Sequence, residues 1–114
     1  MRLEIRTEGV DFVVSREPEP KNDEDGRHKA DRRTGELLYV TELVAMDDAG
    51  AEVIKVTTGG MPKVGKRQTV IVPGLVAVPW VIDGRGGVMF RAESITPAGA
   101  AAKHGAAAGS GAAA

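Results

Sequence analysis

Short runs of β-branched and apolar residues, each cut off by a turn signal, recur along this chain as far as Pro97, and they restrict what it can fold into. "RLEIR" alternates apolar and charged residues, and "VDFVV" does so more loosely. "ELLYVTELVAMD", "AEVIKVTT", "RQTVIVPGLVAVPWVI" and "GVMFRAESI" follow, separated by "DDAG", "TTGGMP" and "DGRGG". In "AEVIKVTT" the alternation sends Val53 and Lys55 one way and Ile54 and Val56 the other. Strand-length runs at roughly 8–12-residue spacing predict an all-β fold. No stretch has the period of an amphipathic helix; "PKVGKRQT" is too short and contains a glycine. About five strands fit a small antiparallel β-barrel, closed or partly open, similar to the oligonucleotide-binding (OB) fold.

The chain has 114 residues, enough for one domain. From Ala98 onward it reads "AGAAAKHGAAAGSGAAA", with no large apolar residue to bury. Residues 98–114 are therefore expected to be a disordered tail and 1–97 the folded domain. A core drawn from so few residues is small, and self-association into a homo-oligomer would supplement it. Residues 17–36 lie in the run "REPEPKNDEDGRHKADRRTGE", which is charged and holds no apolar residue larger than proline. That composition predicts an exposed charged loop, acidic from Glu17 to Asp25 and basic from Arg27 to Arg33.

Charge separates the two halves. Residues 1–54 carry eight Lys/Arg against fourteen Asp/Glu; residues 55–114 carry seven against two. The basic second half suggests a polyanionic partner. There is no cysteine, which excludes disulfides and thiolate metal sites and fits a cytoplasmic protein. The N-terminal "MRLEIRTEGVDFVV" is charged throughout, so neither a signal peptide nor a membrane span is expected.

Catalytic readings find little to build on. His28 falls in the charged loop and His104 in the tail, and no carboxylate pair is flanked by apolar residues. "NDEDG" at 22–26 lacks the ligand spacing of a calcium loop. "TTGGMPKVGK" lacks the lysine–serine/threonine ending of a phosphate loop. No enzyme, metal or cofactor is expected.

Lys55, Lys63, Lys66, Arg67, Arg85 and Arg91 remain as cations for phosphates, with Tyr39 and Trp80 as rings on which bases stack. Two hairpin registers decide the role of Trp80 in "VPWVIDGRGGVMFR". A five-residue loop over Asp83–Gly87 sets Trp80 opposite Phe90, on a buried stripe with Ile82 and Val88. A four-residue loop sets Trp80 opposite Met89, on the side of Arg91. The apolar stripe favours the first, with Trp80 as core anchor and Arg85 at the tip.

The segments "TGELLYV", "GLVAVPW" and "GVMFRAESITP", within residues 31–97, resemble small proteins of actinobacterial integrative and conjugative plasmids, the plasmid replication, integration and excision activators. The resemblance implies a positive regulator of a mobile genetic element and supplies no binding residues. Two other readings stand beside it: an OB-type single-stranded-DNA-binding protein, and a module that docks a replication or recombination protein through residues 17–36.

Overall fold

The computed structural model describes residues 2–98. They form eight strands: β1 (Leu3–Glu4), β2 (Asp11–Pro20), β3 (Leu38–Asp47), β4 (Gly50–Gly59), β5 (Thr69–Ile71), β6 (Val76–Ile82), β7 (Arg85–Arg91) and β8 (Thr96–Pro97). The all-β class is as the turn-punctuated runs predict, and no helix long and apolar enough to cross a membrane is present among these residues.

The strands join one sheet in the order β1-β6-β7-β4-β3-β2-β5-β8. The ladder has two free ends, β1 and β8, so the closed form of the expected barrel is not made. Nor is the sheet wholly antiparallel, because β4 and β7 run parallel where they meet.

The body of the fold is β2, β3 and β4. β3 and β4 form a hairpin paired from Leu38↔Gly59 to Asp47↔Gly50. Asp47 Oδ1 closes its turn by accepting from the Ala49 N–H at 2.8 Å. Strand alternation then sorts the side chains. Phe12 and Val14 on β2, Leu43 on β3, and Ile54 and Val56 on β4 are buried together with Val70, Val72, Leu75, Ala92 and Ile95. Val53 and Lys55 point outward, as their alternation predicts. One polar atom is stranded in this core: Thr41 Oγ1 is buried without a hydrogen-bond partner.

Residues 17–36 keep their exposure but have more structure than their composition reveals. β2 absorbs Glu17–Pro20. Beyond it the chain makes two turns closed by aspartates. Asp23 Oδ1 accepts from the N–H groups of Asp25 and Arg27, and Asp31 Oδ1 from those of Arg33 and Thr34. Backbone bonds from Lys29 N–H to Lys21 O (2.7 Å) and from Leu38 N–H to Lys29 O (2.8 Å) tie this arm to the start of β3.

The expected disordered tail lies outside the described residues except for Ala98. That residue is buried and donates its N–H to Thr69 O at 3.0 Å.

Candidate nucleic-acid interface

β6 and β7 meet at a two-residue turn, Asp83–Gly84, with Ile82 paired to Arg85. Both turn residues have positive φ, 53° and 78°, the combination that a type I′ hairpin requires. Neither loop length considered from the sequence is present. The observed register pairs Trp80 with Gly87, Val78 with Met89 and Val76 with Arg91. Residues paired across an antiparallel ladder share a face. Trp80, Arg85, Met89 and Arg91 therefore lie on one side, here called the outer face, while Pro79, Val81, Val88 and Phe90 lie on the other.

Trp80 is thus not the core anchor that the apolar stripe suggested; it is 43% exposed. Its indole lies across Gly87. A Cβ at residue 87 would stand 2.6 Å from Cζ2 and 2.9 Å from Cε2, so the missing side chain is what lets the ring settle there. Phe90, on the inner face, packs against the core as expected.

The ribbon projects beyond its neighbours. β7 pairs with β4 only at Phe90 and Arg91, and β6 pairs with β1 only at Ala77 and Val76. From Val78 to Met89 neither strand has another ladder partner.

Two cations from different parts of the chain extend the outer face toward the body. Arg91 forms an ion pair with Asp31 of the arm. The Asp31 carboxyl is held below the usual carboxylate range, chiefly by the N–H groups of Arg33 and Thr34, with Arg91 adding to the effect. Lys21 reaches in from the end of β2. Its Nζ lies 3.4 Å from Thr57 Oγ1 and 3.8 Å from Met89 Sδ. No carboxylate pairs with Lys21 among the described residues. Burial lowers its pKa, and the neighbouring charges of Lys29 and Arg91 lower it further.

The outer face therefore presents Arg85 at the tip, the indole over Gly87, the Lys21 ammonium against Met89, and the Arg91 guanidinium held by Asp31. An open ring on the same face as Arg85 and Lys21, neither of which pairs with a carboxylate among the described residues, offers stacking and phosphate neutralisation on one surface.

The other expected residues lie off the ribbon, although Lys55 shares the side of β4 that Thr57 and Arg91 occupy. Lys55 is exposed on β4 opposite Glu42, whose carboxylate accepts from Ser15 Oγ at 2.9 Å. Lys63 is exposed in the β4–β5 connection. Lys66 and Arg67 sit at its turn, where Arg67 has a φ of 71° and donates its N–H to Val14 O. That connection leads into β5, which three strands separate from β7 in the ladder. Tyr39 is half-buried on β3 and makes a T-shaped pair with the His28 ring, centroids 4.9 Å apart.

Sequence reasoning missed Lys21 and Gly87. The Asp-Gly pair was a usable signal for Gly87, because a type I′ turn there fixes Trp80 opposite it. Nothing in the charged run distinguishes Lys21 from its neighbours.

A polar cleft of about 810 Å³ lies beside this surface, lined by cations (Arg2, Arg33) and carboxylates (Glu4, Glu36, Glu93) in mixture. Among the described residues no three His, Asp or Glu side chains converge where a metal ion would sit. Comparison with protein-family models, with curated proteins and with solved structures finds no match to this chain.

Proposed function

We propose that this protein is a non-enzymatic, nucleic-acid-binding regulator of a mobile genetic element, acting in plasmid replication, integration and excision, and that it binds DNA through the outer face of the β6–β7 ribbon. The observation that carries the DNA contact is the exposed indole of Trp80, seated on Gly87, on the same face as Arg85, Lys21 and Arg91. Bases stack on the ring and phosphates meet the cations. An open ring favours unpaired bases, since a duplex keeps its π-faces stacked within itself. The functional analogue is the OB-type oligonucleotide platform, here read as an incompletely closed sheet. The link to a mobile element rests on the plasmid-activator resemblance of residues 31–97.

The test is fluorescence anisotropy of labelled oligonucleotides, single- and double-stranded, between about 50 and about 200 mM salt, where electrostatic binding weakens steeply. Single strands should bind more tightly, and Trp80→Ala should remove most of that preference. Absence of binding at the lowest salt overturns the proposal.

A second reading gains support from the ordering of the arm. Asp23, Glu24 and Asp25 form an exposed acidic turn held by backbone-to-carboxylate bonds, a shape that a basic face of a replication or recombination protein would fit. Reversing these three charges should abolish activation while oligonucleotide binding persists. Unchanged activation contradicts this reading.

A further inference from the structure

At the base of the ribbon the outer face concentrates its charge. The Lys21 ammonium is half-buried between Thr57 Oγ1 and Met89 Sδ. Lys29 lies beside it, donating its N–H to Lys21 O at 2.7 Å, and the charges of Lys29 and Arg91 both act on Lys21. Asp31 is the carboxylate of this group. Its Oδ1 accepts from the N–H groups of Arg33 and Thr34, and its Oδ2 from Arg91 Nη2. Three cations thus meet one carboxylate, an excess of two positive charges.

Carboxylates border this seat where the ribbon ends. The cleft beside Arg91 is lined by Glu4, Glu36 and Glu93 against Arg2 and Arg33. Across the sheet, Lys55 of β4 faces Glu42 of β3. The ribbon itself differs. Neither β6 nor β7 contains a carboxylate, and Asp83 stands only at the turn between them. A polyanion can follow the ribbon from Arg85 to Lys21, and beyond that point it meets repulsion.

We infer that Lys21, Lys29 and Arg91 take the terminal phosphate of a single strand whose end base lies on Trp80. This rests on the nucleic-acid reading above and adds which part of the strand is recognised. The charge fits an end better than an interior. A phosphate monoester has a second pKa of about 6 and so carries nearly two negative charges at neutral pH, whereas an internal phosphodiester carries one. The donors fit as well: Arg91 gives Nη2 to Asp31 and keeps other N–H groups for a second acceptor. The spacing also fits. Gly87 lies beneath the ring and Met89 against the ammonium, two residues apart on one face, about 7 Å along the strand. A base on the ring and a phosphate at the ammonium then belong to one nucleotide.

The test is fluorescence anisotropy with one single-stranded sequence in four forms: 5′-phosphorylated, 3′-phosphorylated, without a terminal phosphate, and closed into a circle. One phosphorylated form should bind about tenfold more tightly than the unphosphorylated strand, the usual gain from an added charge-assisted hydrogen bond, and it identifies the end that is held. The circle should bind no better than the unphosphorylated strand. Lys21→Met should erase the advantage of the phosphate, whereas Lys63→Met, off the ribbon, should keep it. Should Lys21→Met fail to fold, the phosphorus resonance of the strand bound to the parent protein decides instead. The second pKa of its terminal phosphate should fall below about 6, and an unshifted value overturns the inference. Equal affinity for all four forms, an equal gain from both ends, or an advantage that persists in Lys21→Met also overturns it, while the nucleic-acid reading stands. Absence of binding by every form at low salt overturns both.

Discussion

The sheet body and the β6–β7 ribbon are built from the same residue types but use them differently. In the body, alternation divides each strand into a core side and a solvent side, and Leu43 is fully enclosed. In the ribbon, alternation is equally regular, yet apolar residues are exposed on both faces: Trp80 and Ile82 on one, Val81 and Val88 on the other. Apart from Val53, the body keeps its large apolar side chains buried or half-buried within the chain. The ribbon presents them outward, in the manner of a surface that meets partners.

The sharpest way to break this contrast is truncation. Leu43→Ala should destabilise the protein by about 2–5 kcal/mol, because it opens a cavity in a packed core. Val81→Ala should change the stability of the isolated chain by less than about 0.5 kcal/mol, as surface substitutions do. Urea denaturation measures both, at a concentration low enough to keep chains apart. Equal losses would mean that the ribbon is part of the core.

Thr41 tests the body from the opposite direction. Its Oγ1 is buried and unpartnered, a condition that costs about 1–3 kcal/mol. Thr41→Val should therefore raise stability, read as a higher urea midpoint. A lower midpoint would show that the hydroxyl has a partner after all.

The turn tests the ribbon. Gly84 has a φ of 78°, so Gly84→Ala should cost about 1 kcal/mol and fray the tip, seen as faster amide exchange from Val81 to Gly86. Unchanged exchange would refute the type I′ assignment.

Smaller effects come from the two charged groups that join the arm to the ribbon. The Asp31 pKa is lowered in the folded state. Its contribution to stability is complete above the ordinary carboxylate range and is lost as pH falls through the lowered value. Asp31→Asn should flatten that acid limb, and an unaltered slope would contradict the assignment. Lys21 has the opposite sense. Its folded pKa is below the ordinary lysine value, so stability rises with pH from the lowered value up to about 10.4, and the charged form is unfavourable at neutral pH. Lys21→Met should thus stabilise the protein slightly at pH 7 while weakening oligonucleotide binding and reducing the salt slope by about one. A cation retained against stability is expected where function uses its charge. If Lys21→Met destabilises, or binds as tightly as the parent, Lys21 is structural.

How much of this was legible in the sequence differs between the same two regions. The body was readable, since Ile54 and Val56 face the core and Val53 and Lys55 face solvent as period-two alternation requires. Phe12 and Phe90 also pack where large apolar residues are expected. In the ribbon, hydrophobicity points to a register that the structure does not adopt. Burial is a sound guide where a strand has a core beneath it, and here the strands outrun the core. The local signal, Asp83–Gly84, was the stronger one. The arm was illegible for another reason: its order comes from backbone groups bonded to Asp23 and Asp31, and composition does not show which aspartates in a charged run close turns. Lys21 gains its meaning only when Thr57 and Met89 arrive from distant strands.

Whether the Trp80 ring over Gly87 contacts nucleic acid decides between the proposed function and its alternatives. Fluorescence of Trp80, the only tryptophan in the chain, tests it most directly in a low-salt titration with a single-stranded oligonucleotide. The expected result is a solvent-exposed emission that is quenched to saturation, with the quenching reversed by salt and weakened in Lys21→Met. An emission spectrum that the oligonucleotide leaves unchanged, while anisotropy reports binding elsewhere, would contradict it.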